Sequence, residues 1–238
     1  MAGRLRIMLR GTISALRGRF MLGSATWVLV CSAAQATTPS CSTVSSVYTC
    51  TQGSGTFTSP ISITNQSIDA GDAGLSASLT NSGTFNITAG SDTYVLKVTS
   101  TGAGGVDEGN AGGGGSVTIK STGALTLTRS NATSELIVID GRSVGGDADR
   151  DNQNNNSDGG DGGGGATVSI ESDAAIVLGP SLPNGGIGIY GLSQGGDGGE
   201  PNLLSGVNRP GGNGGVGGAV TVTNKGTIGI GSSSTPIT

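Results

Sequence analysis

The sequence predicts an all-β protein, a right-handed parallel β-helix: a solenoid with glycine-rich loop insertions. Three observations lead there. Four nine-residue blocks align without gaps: "LTNSGTFNI" from Leu79, "IKSTGALTL" from Ile119, "IESDAAIVL" from Ile170 and "VTNKGTIGI" from Val222. Each is apolar at its first, seventh and ninth positions and small at its fifth, the pattern of two short strands joined by a tight turn. The first three blocks are each followed by a third apolar run and a glycine-rich stretch, so one unit recurs along the chain as stacked repeats do.

Residues 1–36 carry the three regions of an export signal. Arg4, Arg6, Arg10, Arg17 and Arg19 precede an apolar stretch from Phe20 to Cys31, and "AQA" at 34–36 offers cleavage after Ala36. That stretch is about half the roughly 20 residues of a membrane-spanning helix. Val30 also stands where a lipoprotein signal at Cys31 would carry a small residue.

Residues 37–60 are expected to form an N-terminal cap. Within "CSTVSSVYTC", Cys41 and Cys50 are expected to pair as a disulfide in an oxidising compartment. Beyond the signal there is no further cysteine, and no histidine at all, to complete a four-ligand zinc site.

Residues 61–238 form the repeat domain, incomplete at its C-terminus. Alternation places Leu79, Phe85 and Ile87 on one inner face, with Ile119, Leu125 and Leu127, then Ile170, Ile176 and Leu178, then Val222, Ile228 and Ile230. Ala77, Val117, Val168 and Val220 extend that face by one step, while Lys120 and Glu171 are expected outside, one above the other. The third strands "TYVLKV", "LIVID" and "GIGIY" register through Ser100, Ser143 and Ser193. This puts Tyr94 and Leu96, Ile137 and Ile139, and Ile187 and Ile189 inside, with Lys97, Asp140 and Tyr190 outside.

The glycine-rich spans 102–115, 141–165 and 185–218 hold 32 of the 47 glycines. They have almost nothing apolar to bury and cannot offset the entropy of becoming ordered in isolation. Their unequal lengths mark them as insertions on one edge of the stack, either flaps or stacked polyproline-II-like segments.

Several motifs invite a chemical reading. "GRSVG" around Ser143 and "GLSQG" around Ser193 fit the nucleophile pattern Gly-x-Ser-x-Gly, yet both run on into sequence hostile to the helix that a nucleophile elbow requires. With no histidine to act as base, the serines read as turn residues leaving the third strand. "GIGIYG" matches the dinucleotide fingerprint only in letters, since its glycines fall within an alternating strand. "GGDADRD" and "GGDGGE" lack the ligand spacing of a calcium roll, leaving loose association at Asp147, Asp149, Asp151, Asp158 and Asp161 as the most they offer. Strand-borne charges are few (Lys97, Lys120, Arg129, Glu135, Asp140, Glu171), and no position carries acids in adjacent copies, as a paired-carboxylate glycosidase site would need. Catalytic, cofactor and metal residues are therefore expected to number none.

Removal of the signal takes five of the 12 basic residues and none of the 16 acidic ones, leaving 7 against 16, a net charge of −9. That charge disfavours nucleic acid and anionic membranes as partners.

"GIGIYGLSQGGDGG" at 186–199, followed by "GGNGGVGGAVTVTNKGTIGI" at 211–230, resembles the repeats of autotransporter (type V secretion) passenger domains. The resemblance spans roughly residues 55–238. It implies an exported, non-enzymatic adhesin-like segment that reaches the periplasm and then the cell surface of a Gram-negative outer membrane where a C-terminal barrel is supplied. Partners would be a host or bacterial surface protein or glycan, or a second copy. No membrane insertion is expected of this segment itself. The aromatic girdles and strand run of such a barrel are not seen here, so the chain is expected to be the N-terminal part of that architecture. The alternatives are a β-helical carbohydrate-active enzyme and a calcium-responsive glycine-rich structural protein.

Overall fold

The computed structural model describes residues 27–29, 39–44, 47–67, 69–88, 93–106, 109–128, 135–149, 158–179, 186–200 and 210–231. Among them the fold is all-β, with no helix. Its strands are β1 (Trp27–Leu29), β2 (Ser40–Val44), β3 (Val47–Gln52), β4 (Thr56–Phe57), β5 (Ile61–Ser67), β6 (Ser76–Asn81), β7 (Thr84–Thr88) and β8 (Tyr94–Thr101). They continue as β9 (Val117–Ser121), β10 (Leu125–Thr128), β11 (Leu136–Val144), β12 (Val168–Ser172), β13 (Ile176–Leu178), β14 (Gly186–Gln194), β15 (Val220–Asn224) and β16 (Ile228–Ile230).

Three sheets hold these strands. The first runs β15-β12-β9-β6-β3-β2, the second β16-β13-β10-β7-β4, and the third β14-β11-β8-β5-β1. From β6 onward the chain visits first, second and third sheet in that order, copy after copy. Every pairing is parallel except β2 with β3 and β1 with β5, both at the N-terminal end. β1 falls inside the segment that reads as an export signal.

The repeat blocks lie residue on residue. In the first sheet Leu79 pairs with Ile119, Ile119 with Ile170, and Ile170 with Val222. In the second sheet Phe85, Leu125, Ile176 and Ile228 align in the same way. The β-branched and aliphatic positions of the blocks suit a pleated surface buried on one side. Their side chains meet those of the third sheet in one core cluster.

At the corner between the first two sheets, the third block position is polar, and it is buried in the first three copies (Asn81, Ser121, Ser172). The Asn81 side chain bonds the carbonyl and amide of Gly83 at 3.0 and 2.9 Å and donates to Ser121 Oγ at 3.0 Å. The small fifth position follows from stacking, because a Cβ on Gly123 would stand 2.0 Å from the Gly83 carbonyl oxygen.

Three expectations about faces need correction. In the third sheet Leu96 and Ile139 are buried, but Tyr94 and Ile137 lie half exposed while Val95, Leu136 and Val138 are buried instead. The alternation changes phase where the strand bends: a Cβ on Gly188 would touch Ile228 of the second sheet, and one on Gly191 would touch Val220 of the first. Asp140, expected outside, is only 2% exposed. In the last copy Val220, Val222 and Ile230 are 44%, 47% and 53% exposed, although their counterparts Val168, Ile170 and Leu178 are buried. Among the described residues no copy lies above them.

Candidate functional site

The serines of the Gly-x-Ser-x-Gly motifs lie at the ends of β11 and β14, in register with Ser100 at the end of β8. Ser143 is fully buried, and its Oγ accepts the Ala166 amide at 2.8 Å. Ser100 Oγ accepts the Gly115 amide at 2.9 Å and donates to the Leu75 carbonyl at 2.7 Å. Ser193 repeats the pair with the Gly218 amide and the Ala166 carbonyl, both at 2.7 Å. Each hydroxyl thus ties the return of its own glycine stretch, the return of the previous copy's, or both. The flanking glycines Gly141 and Gly191 face the core, where a Cβ would press on Ile170 or Val220.

The glycine-rich stretches are ordered near the sheets, each as an outgoing leg (102–106, 145–149, 195–200) and a return leg (109–115, 158–165, 210–218). Their hydrogen bonds recur every third residue. In the outgoing legs Gly102 and Gly105 donate to Val144 and Asp147, and Gly145 and Ala148 donate to Gln194 and Asp197. In the return legs Gly159, Gly162 and Gly165 donate to Pro210, Asn213 and Val216. Other amides cross between the two kinds of leg, as Gly146 to Gly112, Gly163 to Gly146, and Gly196 to Gly163. Three residues per turn is the period of polyproline II, whose backbone groups point outward and are satisfied by neighbours. Of the two readings that the sequence allows for these parts, the stacked one holds. The legs' far ends at 107–108, 150–157 and 201–209 lie outside the described residues.

The aspartates of these stretches serve the legs. Asp147 Oδ1 accepts the Asp197 amide at 2.8 Å, and Asp161 Oδ1 accepts the Asn213 amide at 2.7 Å. Asn110 Oδ1 does the same for Asp161 at 2.9 Å. Asp149 and Asp158 sit at leg ends, and Asp151 lies outside the described residues. Among the described residues no group of three or more His, Cys, Asp or Glu is placed to hold a metal ion.

The outer face of the third sheet gathers the most varied chemistry. Lys97, Asp140 and Tyr190 lie in one row across β8, β11 and β14. Arg142, two residues beyond Asp140 on the same face, binds the Asp140 carboxylate through Nε at 2.7 Å and stacks 5.0 Å from the Tyr190 ring centre. The Asp140 hydrogen bond raises the Arg142 pKa above its ordinary value, against the opposing effect of burial. Lys97 lies 5.5 Å from the centre of the Tyr94 ring. Two of the three tyrosines therefore present ring and cation together on one face. Sequence reasoning placed Asp140 and Tyr190 there and passed over Arg142. The signal was the spacing Asp140-x-Arg142, which puts two side chains on the same side of one strand.

The outer face of the first sheet carries a charge network instead. Glu171 meets Lys225 at 2.6 Å and Lys120 at 3.4 Å, and Lys225 reaches Asp173 at 3.3 Å. The Lys225 hydrogen bond, followed by the charges of Lys120 and Lys225, holds the Glu171 pKa below its ordinary value. Arg129 lies outside the described residues. Cys41 and Cys50 face each other across the β2–β3 hairpin and are joined by a disulfide.

Comparison of the chain with protein-family models, curated proteins and solved structures found no match. Among the described residues no helix is long and apolar enough to cross a membrane, which says nothing of a β-barrel.

Proposed function

We propose that the chain is a right-handed parallel β-helix that serves as a surface-displayed, non-catalytic passenger segment resembling those of autotransporters. It acts in adhesion or aggregation. The reading rests on the four blocks lying in residue-for-residue register, because that register repeats each outward side chain beside its counterpart in the next copy. A stack of this kind presents flat polar faces on a rigid aliphatic core, and weak contacts add along it. Residues 1–36 would direct export, and an outer-membrane barrel would carry the segment to the cell surface.

The contact face in this reading is the outer side of the third sheet, where Tyr94, Lys97, Arg142 and Tyr190 supply ring faces and donors to a surface protein or glycan. The test is retention of beads coated with the full chain on glycan arrays and bacterial cells. The expected result is saturable retention that falls at least fivefold in a Lys97→Ala/Tyr190→Ala double variant with unchanged circular dichroism. Equal retention of the variant, or none by the parent chain, would refute this face. Glycan cleavage lost in Asp140→Asn or Glu171→Gln would favour the enzyme alternative instead.

A further inference from the structure

The three sheets differ in the charge they turn outward. The strands of the second sheet carry no charged residue, and those of the first carry Lys120 and Glu171, which face each other and cancel. The strands of the third carry Lys97, Asp140 and Arg142. Of these the carboxylate is hidden, with the Asp140 side chain 3% exposed, while the Arg142 side chain is 33% exposed and Lys97 is half-buried. A chain of net charge −4 therefore shows solvent a cationic, tyrosine-bearing surface on this sheet. Arg142 is also held in place: its Nε donates to Asp140 Oδ1 at 2.7 Å, and its guanidinium lies 5.0 Å from the Tyr190 ring centre. Among the described residues this leaves the two Nη groups with their donors for a ligand. A guanidinium fixed in advance gives up little side-chain freedom on binding, and its paired donors match the two oxygens of a carboxylate.

We propose that this face binds an extended polysaccharide built of uronic acids. One sugar carboxylate takes the Arg142 Nη pair, a second meets the Lys97 ammonium, and the sugar rings lie against Tyr94 and Tyr190. Lys97 and Tyr190 stand in one row across β8, β11 and β14, two strand spacings or about 10 Å apart, which is longer than one sugar ring, so the ligand is a chain and not a single sugar. Charge selects it. A neutral glycan leaves both cations without a counter-charge, and a basic ligand is repelled here while the acidic remainder of the chain attracts it. Asp140 positions Arg142 from below without meeting the ligand, because its carboxylate is covered. The inference rests on the contact face proposed above and names the class of ligand that this face takes.

The experiment titrates the full chain, followed by NMR, with a galacturonic acid trimer and with the galactose trimer of the same linkage as the neutral control. The expected outcome is saturable binding of the uronate trimer, at least tenfold tighter than that of the neutral one, with amide shifts confined to β8, β11 and β14. Arg142→Lys keeps the charge but loses the fork, and should weaken binding at least fivefold; Tyr190→Phe keeps the ring and should bind like the parent. Equal affinity for the two trimers, no uronate binding at millimolar concentration, undiminished binding by Arg142→Lys, or shifts away from the third sheet overturns the proposal. So does equal binding of a sulfated galactose trimer, which would mean attraction of charge alone. If bead retention through Lys97 and Tyr190 persists in any of these cases, the contact face stands and only the ligand assigned to it falls.

Discussion

Gly163→Ala separates ordered legs from slack loops, because the two pictures predict opposite signs. Gly163 donates to the Gly146 carbonyl at 2.9 Å and accepts from the Gly196 amide at 2.8 Å. A Cβ there would stand 2.0 Å from the Gly112 carbonyl oxygen, far inside the 3.4 Å at which ordinary contact begins. The obstacle is backbone, so no side chain can swing aside, and the leg must withdraw until both hydrogen bonds lengthen. Two lost bonds at about 0.5–1.5 kcal/mol each, with overpacking of about 1–3 kcal/mol, give a destabilisation of about 2–6 kcal/mol. Gly214→Ala is the control: its Cβ would find its nearest neighbour at 3.6 Å. That variant should match the parent or gain up to about 1 kcal/mol from the stiffer unfolded chain. Urea unfolding followed by far-ultraviolet circular dichroism reads the difference, and hydrogen exchange over 158–165 locates it. If Gly163→Ala proves as stable as Gly214→Ala, the close packing of the legs is refuted.

Further expectations follow from the same contacts. Ser143→Ala leaves the half-buried Ala166 amide without its acceptor and should destabilise by about 1–3 kcal/mol in urea unfolding, with Ser193→Ala behaving alike. Ile119→Ala, in a fully buried site between copies, should lose about 2–5 kcal/mol, whereas Val222→Ala, 47% exposed, should lose less than about 1 kcal/mol. Because the folded-state pKa of Glu171 is depressed, its contribution is present above the unfolded-state pKa and disappears as pH falls through the folded value; Glu171→Gln should flatten the acid limb of the stability profile, most visibly at low salt. Reduction of the Cys41–Cys50 bond should lower unfolding stability by about 2–3 kcal/mol, measured with and without a thiol reductant.

The nine-residue blocks made much of the fold legible. Leu79, Ile119, Ile170 and Val222 recur at one phase, and parallel stacking is the arrangement that aligns them on one side and buries the first three. The serines were legible as architecture for a related reason, since Ser100, Ser143 and Ser193 each stand at a strand end followed by glycines. The candidate face was half visible: Lys97, Asp140 and Tyr190 follow from alternation, but the Asp140–Arg142 pair and the stacking of Arg142 on Tyr190 of the next strand do not.

Sequence alone therefore determined what is local and periodic: strand phase, the order of strands within a copy, and the register that matching blocks impose. Tertiary structure decided where third-sheet strands bend, so that Val95 and Val138 replace Tyr94 and Ile137 in the core. It also decided the state of the glycine stretches. Composition gives them nothing to bury, and their Gly-Gly-x triplets carry no apolar period that marks them as ordered. Their order comes from main-chain bonds between legs some 50 residues apart, whose carbonyls approach closer than any Cβ permits. Absent side chains are what make that approach possible, and the atoms that define it are the same in every residue, so the sequence records only the glycines that permit it and not which legs they join.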